Sequence, residues 1–332
     1  MKEQKGTLIM VAAITVALLG FSFVTTGDLG SFGITLMSGL FQGMLLFLVA
    51  AGLSIILGLM DILNLAQGAY FMIGAYIAYG FHHEATVISA IPDPNLRFPV
   101  AVLVATLVGA VLGAILERGL LRPLYNRQIF QLVLTFGVAL VMLEVVEFIW
   151  ATTPYTWAVA GSFGIHQGQF DLFGQQFSTY RAFVIFVGFL LIVLIALLLR
   201  RTRIGIIIRA GVEDSEMVEA LGINVRAVFT LVFALGCAVA AFGGAIAAPF
   251  LGATIGMGNA FLLAAIAVVV LGGMGSYEGT AIGSVLVGLA VAIVAKFATQ
   301  YLNQSVWQSL TPMLLLVLVL LVRPSGLFGK EG

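Results

Sequence analysis

The sequence predicts an all-α, polytopic transmembrane helix bundle of about ten spans, with two broken-helix or turn segments and both termini on the inner side. Composition is the first reason. Of 332 residues, 61% are hydrophobic and 9% charged, whereas an ordinary soluble domain carries roughly 25% charged residues. The second reason is the series of apolar runs long enough to cross a bilayer, which takes about 20 residues. The third is the placement of Lys and Arg. Acidic and basic residues balance at 15 each, which argues against a nucleic-acid partner and leaves the lipid bilayer as the main surroundings.

Taken in order, the long runs lie near 8–26, 34–59, 98–116, 129–151, 182–199, 227–250, 279–297 and 306–322, with shorter ones near 67–81 and 259–273. The first follows Lys2 and Lys5 but exceeds the ~7–15 apolar residues of a signal sequence, so it reads as a retained span. With the N-terminus inside, the inner segments hold Lys2, Lys5, Arg118, Arg122, Arg127, Arg200, Arg201, Arg203, Arg209, Arg226, Arg323 and Lys330. The outer segments and span ends hold Arg97, Arg181 and Lys296. This asymmetry fits the positive-inside rule.

Glycine pairs four residues apart, Gly39 with Gly43, Gly109 with Gly113, and Gly279 with Gly283, put two small residues on one helix face and predict close helix packing in lipid. The lone cysteine, Cys237, reads as a core residue, so no intrachain disulfide is expected. The three histidines, His82, His83 and His166, fall in outer loops without acids or thiols at ligand spacing, so no metal site is expected.

Two interruptions stand apart from packing. Polar groups break the apolar pattern at Leu59–Gly68, and glycines break it at Leu271–Gly279. Backbone freed from a helix at membrane depth persists only where protein or a water-filled cavity satisfies it, and paired breaks often mark a transport path. Asn64, Gln67, Gly272, Gly273 and Gly275 are therefore candidate path residues. The glycine-rich segment lacks the Lys-Ser/Thr of a phosphate-cradling loop, so no nucleotide cofactor is expected on this chain.

Charge concentrates between Arg200 and Arg226, where five arginines and four acids separate two apolar runs. Asp214 can cap a helix starting at Ser215, Glu216 faces its positive end, and Gly222 is a natural stop. Met217, Val218 and Leu221 share one side of that short helix, opposite Glu216 and Glu219. Surface-seeking membrane helices favour basic polar faces. An acidic one predicts docking into a protein groove.

Two acids also sit inside an apolar run. Glu144 and Glu147 are three apart, hence on one helix face. A carboxylate on lipid is costly, so they are expected to face the bundle or a watery cavity. Lys296 and Arg181 are possible ion-pair partners, and a substrate ammonium is another.

The run Arg209-Ala210-Gly211-Val212-Glu213-Asp214, followed by Ala220-Leu221-Gly222-Ile223-Asn224, resembles the coupling loop of branched-chain amino-acid ABC-importer permeases. Leu63–Gly68 with Ile73-Gly74-Ala75-Tyr76, Val270–Ser276 and Arg323–Gly329 are similar to the same family, in the same order. The resemblance implies one permease domain over 1–332 in a bacterial or archaeal inner membrane, with a cytoplasmic coupling loop at 200–226. There Arg209, Glu213, Asp214, Glu216, Met217, Ala220, Leu221 and Gly222 would meet an ATPase. It further implies two cytoplasmic ATPase subunits, a second permease and an external binding protein. Members also carry urea, amides or aromatic acids. A different class of protein, an ion-coupled carrier, would need Glu144 with Glu147 as its ion site. The wider importer pattern has Glu-Ala-Ala where this chain has Glu216-Met217-Val218.

Overall fold

The computed structural model describes all residues except 1, 126, 158–162, 173, 203–204, 208–209, 211–214, 305, 324–325 and 329–332. Side chains are also left undescribed at 2–10, 24–26, 215–216, 302 and 322. The protein is mostly helical, at 82%. A helix occupies every apolar run read from the sequence: α1 (Lys2–Thr26), α2 (Leu29–Met60), α3 (Gln67–His83), α5 (Pro94–Leu116), α6 (Gln128–Trp150), α8 (Thr179–Arg201), α10 (Val225–Leu251), α11 (Met257–Gly272), α12 (Tyr277–Phe297) and α13 (Val306–Val322). The short helices α4 (Ala85–Ala90), α7 (Gly164–Gln167) and α9 (Ser215–Ala220) lie between them. Among the described residues, six helices are long and apolar enough to cross a membrane by length and composition.

The all-α expectation needs one correction. Strands β1 (Gln169–Leu172) and β2 (Gln175–Ser178) form an antiparallel hairpin in register Gln169↔Ser178. Gly174 supplies the left-handed turn at φ 79°, and Asp171 accepts from its N–H. A loop can hold such a hairpin because water or neighbouring chain satisfies its edges.

The chain divides into two compact units. One comprises Met1–Phe47, Ile165–Phe189 and Ala264–Gly332, the other Leu48–Gly164 and Leu190–Leu263. In the first unit, α2 and α12 approach through small residues. A Cβ on Gly43 would come within 2.7 Å of Ser284 O, and one on Gly39 within 2.9 Å of Leu289 Cα. The glycine pairs read from sequence therefore do bring helices together. In the second unit, α3 and α5 pack along α10. Cys237 lies opposite Gly113, and Ala241 opposite Gly109 and Gly74. Around Cys237 the core gathers Ile56, Tyr70, Phe233 and Ala240, all fully buried.

Candidate functional site

The amphipathic helix of the charged loop is present. Helix α9 starts at Ser215 and ends at Ala220. Leu221 N–H donates to Met217 O at 3.1 Å, and Gly222 N–H to Glu219 O at 2.9 Å. Gly222 sits at φ 82°, a left-handed stop that a side chain would strain. Ile223 N–H returns to Val218 O at 3.3 Å, and Asn224 caps the following helix by accepting from Ala227 N–H at 3.0 Å.

The apolar side of α9 divides between two roles. Val218 is buried at 4% exposure, anchoring the helix against its own unit, while Met217 and Leu221 stand out at 62% and 73%. Glu219, Ala220 and Gly222 are exposed as well. Arg209, Glu213 and Asp214 lie outside the described residues, as does the Glu216 side chain.

Both sequence interruptions are tight turns between helices. After α2, Asp61 takes φ 52° and accepts from Gln128 Nε2 at 2.8 Å. Asn64 and Gln67 are fully buried. Asn64 Nδ2 donates to Gln67 Oε1 at 3.1 Å, Asn64 Oδ1 accepts from Ala66 N–H at 3.1 Å, and Gln67 Nε2 donates to Gly236 O at 3.0 Å. The two amides thus fasten the turn to the middle of α10. Gly52 makes this possible, because a Cβ there would lie 2.2 Å from both Gln67 Nε2 and Gly236 O.

At the other interruption Gly273 and Gly275 take φ 102° and 81°, and Ser276 Oγ caps α12 by accepting from Gly279 N–H at 3.0 Å. Gly272 faces Gly279 so closely that a Cβ would lie 2.4 Å from Gly279 C. The C-terminal segment closes the end of α11. Leu327 N–H donates to Leu271 O at 2.8 Å and Phe328 N–H to Gly272 O at 3.0 Å. Two carbonyls left over at the helix terminus are satisfied in this way.

On α6, Glu144 is exposed and Glu147 half-buried. Glu144 continues a stripe of exposed apolar residues at helical spacing, Ile129, Val133, Phe136, Leu140 and Phe148, the last at 92% exposure. The proposed cationic partners are engaged within the other unit. Lys296 Nζ donates to Ser31 O and Thr35 Oγ1, both at 3.2 Å, and the Arg181 guanidinium lies 5.5 Å from the Phe41 ring centroid.

Sequence reading missed one ionic cluster. Glu117 is fully buried at the start of a π-helical turn, Glu117–Leu121. It accepts from Tyr125 Oη and Thr230 Oγ1, and Arg122 Nε lies 3.7 Å from its Oε1. Burial pushes the Tyr125 phenol up, and the hydrogen bond with Glu117 pushes the same way, so it remains a neutral donor. Arg122 Nη2 also donates to Arg226 O at 3.3 Å. The cluster ties the end of α5 to the base of α10, immediately after the charged loop. The available signal was an acid at a span end with an arginine five residues on.

A cavity of about 110 Å³ in the same unit is lined by Ile55, Leu59, Leu198, Leu199, Leu231, Val232 and Leu235. These aliphatic side chains give a zwitterion no polar partner. Among the described residues, no group of three or more His, Cys, Asp or Glu residues could hold a metal ion.

Repeated long apolar helices joined by tight glycine turns define a multi-pass membrane protein. Residues 35–322 match the family described as branched-chain amino acid transport system / permease component, and the chain belongs to that family. Named relatives run through most of its length. The high-affinity branched-chain amino acid transport system permease protein BraD of Pseudomonas aeruginosa is 30% identical over 304 residues, covering 89% of this chain and 95% of BraD. LivH of Salmonella typhimurium, with the same description, is 28% identical over 302 residues, covering 88% and 94%. A probable branched-chain amino acid transport permease LivH of Methanocaldococcus jannaschii is 26% identical over 301 residues, covering 86% of this chain and 89% of that protein.

Proposed function

We propose that the chain is the membrane permease subunit of an ABC importer that moves branched-chain or other hydrophobic amino acids into the cytoplasm, driven by ATPase subunits docked on α9. The family match over 35–322 carries the transport reading, and relatives named for branched-chain amino acids support the substrate class. Exposed Met217 and Leu221 beside buried Val218 support the docking role. A helix that keeps two large apolar side chains in solvent, anchored through the third, is shaped to enter an apolar groove.

About ten spans, both termini inside and a single permease domain complete the reading. The helix found at each apolar run and the bias of Lys and Arg support it. The assembly has two ATPases, a second permease and an external binding protein. The α6 stripe supports the second permease, since an exposed Glu144 on a lipid face is costly and a protein or watery boundary accommodates it. In the translocation path, Asn64 and Gln67 hold one turn, and Gly272 with Gly273 and Gly275 shape the other. Glu144 and Glu147 face the boundary of that path.

Site-directed crosslinking tests the docking surface. Cys237 is fully buried, so Leu221→Cys supplies the reactive thiol. It should crosslink to the ATPase subunit in native membranes, and label from the cytoplasmic side alone. Labelling from the outer side, or no crosslink while the complex still forms, would contradict the proposal.

A further inference from the structure

Arg97 carries a charge that no ion pair among the described residues answers. It lies in the first turn of α5 and is 4% exposed, and its Nε and Nη1 have no hydrogen-bond partner. Trp157 Nε1 is buried without a partner too, on a side chain 7% exposed. Trp157 lies beside the turn that carries Arg97: its ring centroid is 6.2 Å from that of Phe98, the next residue, and 5.2 Å from that of His83. The nearby acids do not serve. Asp93 Oδ1 accepts from Asn95 N–H at 2.9 Å and from Asn95 Nδ2 at 3.0 Å, and both Asp93 and Glu84 are exposed.

A buried ion without a counter-charge costs several kcal/mol, and buried donors left empty ask for an explanation. Arg97 and Trp157 can only donate, and one of them is a cation, so the complement is an anion with acceptor oxygens. A guanidinium N–H makes a strong charge-assisted hydrogen bond to a carboxylate, and a single carboxylate balances a single guanidinium. The walls are aromatic: Phe98 and Phe163 stack at 4.2 Å and 15°, and Phe98 meets Trp157 edge-on at 6.2 Å. Such walls suit an aliphatic side chain better than a hydrated phosphate.

We propose that Arg97 and Trp157 form a carboxylate-binding subsite for an apolar α-amino acid. The assignment rests on the importer reading and extends it by naming the groups that receive the substrate's carboxylate. Arg97 grips the carboxylate, Trp157 Nε1 donates to it, and Phe98 with Trp157 covers the side chain. All of these residues belong to one compact unit.

The test uses the intact transporter, without its binding protein, melted in detergent with rising L-leucine, L-leucinamide or acetate. Leucine should raise the melting temperature, while leucinamide, which lacks the carboxylate, and acetate, which lacks the side chain, should do so weakly. Arg97→Gln should abolish the leucine effect. Trp157→Phe, which keeps the ring and loses the N–H, should raise the half-maximal concentration about tenfold, as expected for one hydrogen bond to a charged group. Equal stabilisation by leucinamide or acetate, or an unchanged response in Trp157→Phe, would overturn the subsite. Leucine uptake by the wild-type system with its binding protein is measured in parallel. Uptake without a carboxylate-dependent shift sinks the subsite alone, whereas absence of leucine uptake sinks the importer reading and the substrate assignment with it.

Discussion

Gly74→Ala adds one methyl group at the place where α3 and α10 touch. Its Cβ would lie 2.0 Å from Ala241 O and 2.6 Å from both Ala241 C and Cα. Real Cβ contacts essentially never fall below 3.0 Å, so the two helices must part by about 1 Å along this line. Overpacking costs about 1–3 kcal/mol when side chains can give way. Here the obstacle is backbone in a fully buried seam, so the expected loss is ~3 kcal/mol or more. Gly137 on α6 supplies the control, because a Cβ there meets nothing within 4 Å. Gly137→Ala should be neutral or stabilising by up to about 1 kcal/mol, the helix-propensity difference. Thermal and denaturant unfolding of the purified variants in one detergent compares them. A Gly74→Ala protein as stable as wild type, or a Gly137→Ala protein equally destabilised, would refute the packing argument.

Three further predictions follow from the same geometry. Met217→Asp with Leu221→Asp should leave the melting temperature near wild type and weaken ATPase co-purification, because both side chains are exposed, whereas Val218→Asp should lower stability itself. Gln67→Leu should destabilise by about 1–3 kcal/mol, the cost of leaving a buried partner unsatisfied, since Asn64 loses an acceptor and Gly236 O a donor; unchanged unfolding would show that the turn is held otherwise. Glu117→Ala should destabilise by about 1–3 kcal/mol, the cost of leaving buried donors unsatisfied, with partial recovery when Arg122→Ala is added if the ion pair shares in the effect. No recovery in the double variant would place the effect in the bonds to Tyr125 and Thr230.

The apolar helices were legible because lipid leaves an apolar run little choice but a helix. Helix α9 was legible from its chemistry, with a start at Ser215 and a left-handed stop at Gly222. The division of its apolar side was not, because a helical wheel cannot say that Val218 meets a neighbour while Leu221 meets solvent. Glycine spacing found Gly39 and Gly43 but passed over Gly74 and Gly244, whose contacts are closer. Their partners lie on another helix and leave no period behind. The hairpin at 169–178 was hidden by its four-residue strands. Glu117 was passed over and Arg97 was read only as a charge near a span end, since burial and partners are tertiary properties.

Uptake into proteoliposomes tests the central claim most directly. Vesicles holding the permease, its ATPase and the second permease, supplied with binding protein, should accumulate leucine against a gradient only with ATP present, and should stop when Gly222→Pro breaks the end of α9. Concentrative uptake by this chain alone, sustained by an ion gradient without ATPase, would contradict it.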